Sequence, residues 1–455
     1  MTLFFVNTFI RFLFADTNLF INYSSFLFNI TLICFVCFNR MKSIQHTTFE
    51  NGLELVTESV PGVRTVAIEW LTLGGVAANE HDGDSVLLTE LMYRGAGDLS
   101  DREHTERLDH LGVRRSITCG VRLLKLHSLC LGSKVHEAIG PVFDMFLRPK
   151  LPNEGLEPSQ QLSFQALDSI QDNPPKLVGI ALNNHHFPAP FNRSTYGERT
   201  SLESATIKRI RDVYKKSVCP KGSIISIVGD IDHDAILGSV QEQTANWHGD
   251  SLNPIEATSP TRGIHHIEQD TSQVHIGMAL DAPEANDSNS IFERIAVSVF
   301  GGATSGRLFT EVRQKRSLCY SVHASYQASR ENSTVRIHAG TTPDRAAETI
   351  DVILDQLSQL QKGITKEEFD RTITRLRAGT VMSGESTAAR AGALLGDQYA
   401  RGTTRSLENR LDELSAVSLD DVNEYLKKRA PGAMTLVFLG SKALKIDEDR
   451  VPGQH

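Results

Sequence analysis

The sequence predicts an α+β protein built from one unit used twice, and three observations carry that expectation. Short alternating apolar runs, bounded by Gly, Pro and Asn turns, are interleaved with longer runs of helical period. Their order recurs after roughly 200 residues, which marks a duplicated domain and not a solenoid unit. The chain of 455 residues also exceeds what a single hydrophobic core usually organises.

The elements of the first unit follow in order. Asn51-Gly52 is a turn ahead of Leu53, Leu55 and Val56, and Val66, Ile68 and Trp70 alternate as a strand running to Gly74-Gly75. A helix is expected over 85–94, capped by Asp84 or Ser85 and stopped at Gly95. A helix near 104–111, strands over 113–119 and 121–131, and helices over 134–147 and 158–171 come next. A Pro/Asn-rich irregular stretch over 183–197 separates these from a helix at 205–217 and a strand at 223–228.

The second unit repeats the order, with a strand at 274–280, a helix at 289–300, and a strand at 335–339 leading into a helix at 345–361. The ends match best. Val213-Tyr214-Lys215-Lys216 ahead of 223–229 echoes Glu424-Tyr425-Leu426-Lys427-Lys428 ahead of 434–440. The expected organisation is one half over 45–249, a linker over 250–263 marked by Pro254, Ser259, Pro260 and Gly263, a second half over 264–441, and a polar tail over 442–455.

Composition narrows the function classes. At 40% hydrophobic and 22% charged residues the body is globular, and a net charge of -8 without a basic block argues against nucleic acid as a partner. Six scattered cysteines form neither a disulfide framework nor a zinc ribbon and suit a reducing compartment, so the body is expected in the cytoplasm. Cys34-Phe-Val-Cys37 has redox spacing but lies in an apolar run without a βαβ context. Residues 1–40 stand apart, with nearly half of the phenylalanines and an uncharged run over 17–39. Two readings stand: a membrane anchor, or a stretch upstream of a true start at Met41. The abrupt change of composition at Met41 favours the second, and a membrane is a partner only under the first.

The most informative stretch runs from Phe300 to Tyr320, with Gly301, Gly302 and Gly306 ahead of a helical segment and a strand over 321–326. This stretch resembles the carboxy-terminal half-domain of pitrilysin/insulinase-type zinc peptidases and their non-catalytic relatives, which carry Gly-Gly before Ser-Arg-Leu-Phe and Val-Arg-Glu-Lys-Arg-Gly-Leu-Ala-Tyr. The resemblance extends through Asn51-Gly52-Leu53, Gly74 to Glu80, the Leu-Met-Tyr-Arg-Gly run from Leu91, Asp172-Asn173-Pro174 and Gly229-Asp230. It implies two half-domains, each a mainly antiparallel sheet packed against helices, facing across a cleft. It also implies that Arg313 and Tyr320 grip a substrate backbone, since a guanidinium and a phenol both donate to a peptide carbonyl.

Active relatives carry His-x-x-Glu-His on the helix matching 85–94, where two imidazoles one turn apart hold zinc and the Glu activates its water. Here the run is Leu87-Leu88-Thr89-Glu90-Leu91, so the position of the base remains and both imidazoles are replaced. Gln165 and Ala166 stand where the resemblance implies glutamates, and Asp168 is the nearest carboxylate. Glu90, at the position of the general base, has two readings, an idle vestigial base or a structural carboxylate paired with a nearby basic residue, of which the second is favoured, and Leu87 and Leu91 are expected to be core. His104 and His110 are read onto an exposed amphipathic helix, and the pairs His185-His186 and His265-His266 onto polar loops. Ser85 and Cys119 are conceivable nucleophiles without an identifiable base.

These residues lead to a catalytically silent, peptidase-like subunit with no cofactor of its own. Its expected partners are an extended peptide, which could join the edge strand over 113–119, and an active homologous subunit. Two alternatives remain: a zinc endopeptidase whose ligands lie elsewhere in the chain, and a structural assembly subunit resembling respiratory-complex core proteins.

Overall fold

A six-stranded sheet and a five-stranded sheet organise the chain in a computed structural model that describes residues 43–250, 255–430 and 432–453. The anchor and start-site expectations for residues 1–40 lie outside the described residues. The first sheet comprises β1 (Ile44–Thr48), β2 (Glu54–Ser59), β3 (Thr65–Thr72), β4 (Arg114–Cys119), β5 (Leu124–Leu131) and β6 (Ile224–Gly229), in the spatial order β1-β2-β6-β3-β5-β4. The second comprises β7 (Gly263–Glu268), β8 (Val274–Asp281), β9 (Cys319–Gln327), β10 (Thr334–Thr341) and β11 (Thr435–Gly440), in the order β7-β11-β8-β10-β9.

Set β1 aside and the two sheets are the same object. Each begins with a parallel pair, β2 with β6 and β7 with β11, and continues antiparallel to its far edge. The strands whose sequences echo one another, β6 and β11, hold the same place in each order.

The helices of the first half are α1 (Asp84–Leu91), α2 (Asp101–His110), α3 (Val135–Leu147), α4 (Leu156–Gln171), α5 (Pro174–His186), α6 (Arg199–Glu203), α7 (Ile207–Ser217) and α8 (His233–Thr244). Those of the second are α9 (Ser290–Gly301), α10 (Ala346–Gln361), α11 (Lys366–Gly384), α12 (Thr387–Arg401), α13 (Leu407–Ala416) and α14 (Leu419–Lys428). Among the described residues no helix is long and apolar enough to cross a membrane.

Period-2 alternation lets β3 serve two cores at once. Val66, Ile68 and Trp70 face the main core of the first half, where the Trp70 ring lies 4.8 Å from Phe143 and 5.3 Å from Trp247. Ala67 and Leu71 face the other way, against Ala391, Leu394 and Leu395 of α12. The second sheet is covered reciprocally: Val178 and Leu182 of α5 pack on Ala279, Val437 and Leu439. Each half therefore lends a helix to the sheet of the other. A Cβ at Gly277 would stand 2.7 Å from Val178 Cγ1, so only glycine lets α5 settle on β8.

Several expectations need correction. The α1 helix is not capped by Asp84 or Ser85; its N-cap is Gly83 at φ 113°, and Asp84 in the first turn is buried against Arg209 at 2.9 Å. The irregular stretch begins later than expected. Asn173 caps α5 by accepting from Lys176 N, Pro174 opens it, and burial on the second sheet carries it to His186. His186 is thus helical and wholly buried, bonded through Nδ1 to Thr435 Oγ1 at 3.0 Å, and His265-His266 lie in strand β7. His185 and His265 stack with ring centroids 3.5 Å apart. His104 is buried too, with Nε2 2.9 Å from the Pro141 carbonyl, while His110 stays exposed. The carboxyl end is no free tail: Val451 is buried, and Arg450 reaches Asp351 and Asp355 at 2.6 and 2.7 Å.

Candidate functional site

The α1 helix carries the run Leu87-Leu88-Thr89-Glu90-Leu91, and the core has closed over its leucines. Leu87, Leu88 and Leu91 are all 0% exposed, within the cluster that also holds Trp70, Phe143 and Phe146. Leu91 packs on the start of α4, where a Cβ at Gly155 would come 2.9 Å from Leu91 Cδ2. Ala166 is half-buried farther along α4, Gln165 is exposed, and Asp168 points outward to pair with Arg199. Asp168 therefore does not turn toward α1. Among the described residues no three His, Cys, Asp or Glu side chains converge in a way that could hold a metal ion. Zinc, which needs about three protein ligands in a catalytic site, does not fit the residues present.

Glu90 lies on the half-buried side of α1 and makes no hydrogen bond or ion pair among the described residues, which corrects the expectation of a paired carboxylate. Burial raises its carboxyl above the usual range, and the charge of Arg94 opposes that shift. Arg94 spends its Nε on Ser159 Oγ at 3.1 Å. The other conceivable nucleophiles are set aside by their surroundings. Ser85 is buried and donates to the Gly74 carbonyl at 2.9 Å, and burial pushes the Cys119 thiol up to about 12.

In the second half, the glycine-rich turn works by close approach and not by positive φ. A Cβ at Gly301 would sit 2.7 Å from Ala324 N, so glycine lets α9 end against β9. A π-helical turn over Phe309–Gln314 follows and closes onto Leu318 through its N–H to the Val312 carbonyl at 3.0 Å. Arg307 is structural, forking onto Glu368 at 2.7 and 2.8 Å. Arg313 and Tyr320 are different. Both are exposed, Tyr320 at 71%, and neither side chain has a hydrogen-bond partner among the described residues. Arg313 lies over the Phe309 ring at 4.9 Å.

Arg313 and Tyr320 line one cavity of about 290 Å³ together with Ser317, Leu318, Thr342 and Arg345. Arg345, which fixes the Ser317 carbonyl at 2.7 Å, is a cation the sequence reading missed. Its only local signal was a place just before α10, which says nothing about proximity to Arg313. The edge strand β4 lies where expected, though Tyr93 OH already occupies the Ile117 N–H.

Residues 204–376 match the Peptidase M16 inactive domain. The chain is 24% identical over 419 residues to an uncharacterized zinc protease of Mycobacterium tuberculosis, covering 88% of this chain and 94% of the relative. It is 25% identical over 394 residues to an uncharacterized zinc protease of Bacillus subtilis, covering 84% and 94%. A crystal structure of a peptidase M16 inactive domain from Pseudomonas fluorescens shares the fold with a TM-score of 0.81 at 19% identity, over 88% of this chain and 99% of that one. A protease structure from Helicobacter pylori does so with a TM-score of 0.80 at 16% identity, over 87% and 99%.

Proposed function

We propose that the chain is a non-catalytic member of the M16, pitrilysin-type peptidases that holds peptide for an active homologue, a reading supported by the match of residues 204–376 to the M16 inactive domain and by the likeness to zinc-protease relatives over most of the chain. One contrast carries this reading. The positions of the imidazole ligands have become core, whereas Arg313 and Tyr320 stand exposed and unpartnered on one cavity. Arg307, by contrast, is largely buried and spent on Glu368, whereas the Arg313 and Tyr320 donors remain open to an incoming carbonyl.

In this reading residues 45–249 and 264–441 are the two halves, joined by 250–263. Arg313 and Tyr320 donate to the carbonyls of an extended peptide, with the planar fork of the guanidinium fixing its orientation. The β4 edge offers further backbone pairing, short of the donor that Tyr93 has taken. In this reading hydrolysis falls to the partner, because the two leucines beside Glu90 have no donor atom with which to hold a metal. The reading as a zinc endopeptidase with ligands elsewhere lacks a converging ligand set among the described residues. The structural assembly reading is separated by experiment. Fluorescence anisotropy of a labelled unfolded peptide should show binding by the purified chain, weakened about tenfold or more by joint replacement of Arg313→Ala and Tyr320→Phe with folding intact. Equal binding by the double variant would refute the grip, and chelator-sensitive cleavage by the chain alone would refute the silent assignment.

A further inference from the structure

A larger cavity, of about 880 Å³, opens among α9, α11, α12 and α13, and it shares no lining residue with the one around Tyr320. Six arginines reach it: Arg294, Arg375, Arg390, Arg401, Arg405 and Arg410. Their partners are too few. Arg390 is held by Glu58 at 2.6 Å. Arg405 and Arg410 share Asp397 at 2.7 and 2.6 Å, and Arg401 reaches the same carboxylate at 3.7 Å. Glu413 serves Arg405 again at 2.6 Å. Arg375 finds no carboxylate and donates to Ser298 Oγ and to the Gly302 carbonyl at 2.8 and 3.1 Å.

Arg294 has no hydrogen bond and no ion pair among the described residues, although its side chain is open to the cavity. Two further acids on the wall are engaged locally, Asp287 with the Asn289 N–H at 2.7 Å and Asp421 with the Ser418 N–H at 2.9 Å. Burial in the wall, and then the charges of Arg405 and Arg401, hold the Arg294 guanidinium below its ordinary range. Guanidinium groups crowded in a partly desolvated space repel one another unless an anion stands among them.

We propose that this cavity binds a small organic polyanion carrying two or more phosphate or carboxylate groups, with Arg294 as the cation that meets it. Guanidinium forks match both oxyanions bidentately, which makes the class and not the individual acid the readable property. The volume lies within the range of small-molecule sites. Phe292, Leu376, Leu407 and Leu414 on the same wall give a carbon body something to rest on. The site is independent of the peptide-holding reading.

The test is calorimetric titration and thermal unfolding of the full chain with inorganic pyrophosphate, citrate and ATP as separate probes. At least one probe should bind at about 1 mM or below and raise Tm. Binding of pyrophosphate alone would assign phosphate, citrate alone would assign carboxylate, and ATP binding more tightly than pyrophosphate would assign a phosphate ester with an organic body. Arg294→Gln should weaken the binding about tenfold to a hundredfold while leaving the ligand-free Tm equal or higher. Arg371→Gln, whose guanidinium pairs with Glu367 at 3.1 Å outside this cavity, should bind as the unaltered chain does. No binding by any probe, undiminished binding by Arg294→Gln, a lower ligand-free Tm in that variant, or an equal loss in Arg371→Gln would each overturn the assignment.

Discussion

Restoring both imidazoles by Leu87→His together with Leu91→His should unfold or nearly unfold the chain, and should not create a zinc site. Both leucines are 0% exposed in the largest core. Each loses about 1.5–3 kcal/mol of apolar burial, and a buried imidazole leaves an unsatisfied N–H that costs about 1–3 kcal/mol more. Each single change therefore costs about 2.5–6 kcal/mol. The pair stands one helical turn apart, so the two costs will not simply add. Even one of them is a large part of the roughly 5–15 kcal/mol that holds a typical domain. Urea unfolding of Leu91→His and of the double variant, followed by far-ultraviolet circular dichroism with and without zinc, measures the effect. The midpoint should fall in Leu91→His and further in the pair, with no recovery on adding zinc, because Ala166 supplies no third ligand. A double variant that unfolds like the original chain, or that regains its midpoint by binding one zinc, would refute the claim that the core has closed over the site.

Gly277→Ala should cost about 1–3 kcal/mol by pressing a Cβ against Val178, and Val178→Ala in the same chain should recover part of that loss in a double-mutant cycle. Arg429→Met should destabilise by about 3–5 kcal/mol, since it leaves Glu293, itself 0% exposed, without the 2.6 Å partner that neutralises it; Glu293→Gln added to it should then restore stability. Burial, reinforced by His323 and His275, lowers the His338 imidazole to about 4. The unfolded chain, with an ordinary His near pH 6.5, then binds the proton first, so stability should fall as pH drops from about 6.5 toward 4. His338→Gln should flatten that slope in urea titrations across this window, and an unchanged slope would assign it to other groups.

The extent to which sequence alone sufficed differs between the fold and the site. Strands β6 and β11 were legible as a repeated pair because each is a mostly apolar run ahead of a glycine, and period-2 or apolar patterning is a local property. The loss of the imidazoles was equally legible, because a leucine has no lone pair in any fold. Arg313 and Tyr320 could be singled out only through the surrounding motif; their exposure and their common cavity depend on the π-helical turn and on Leu318 folding back beneath it. The helical state of His185 and His186 escaped the sequence because the Pro and Asn around them carry turn propensity, which burial of Val178 and Leu182 on the second sheet overrides. The cation near Glu90 is Arg94, which acts through its charge, because its Nε is turned to Ser159 and not to the carboxylate.

The sequence by itself determined the duplicated α+β plan, the leucines at positions 87 and 91, and which Arg and Tyr to single out, since each resides in residue identity or in short-range period. Tertiary structure alone decided which half covers which sheet, that Arg345 joins Arg313, and that six arginines, five on α9, α11, α12 and α13 and Arg405 in the turn between the last two, share a single cavity with too few carboxylates. Those facts arise from contacts between segments far apart in the chain. Charge has no period, and only the closing of the helices brings those guanidinium groups together.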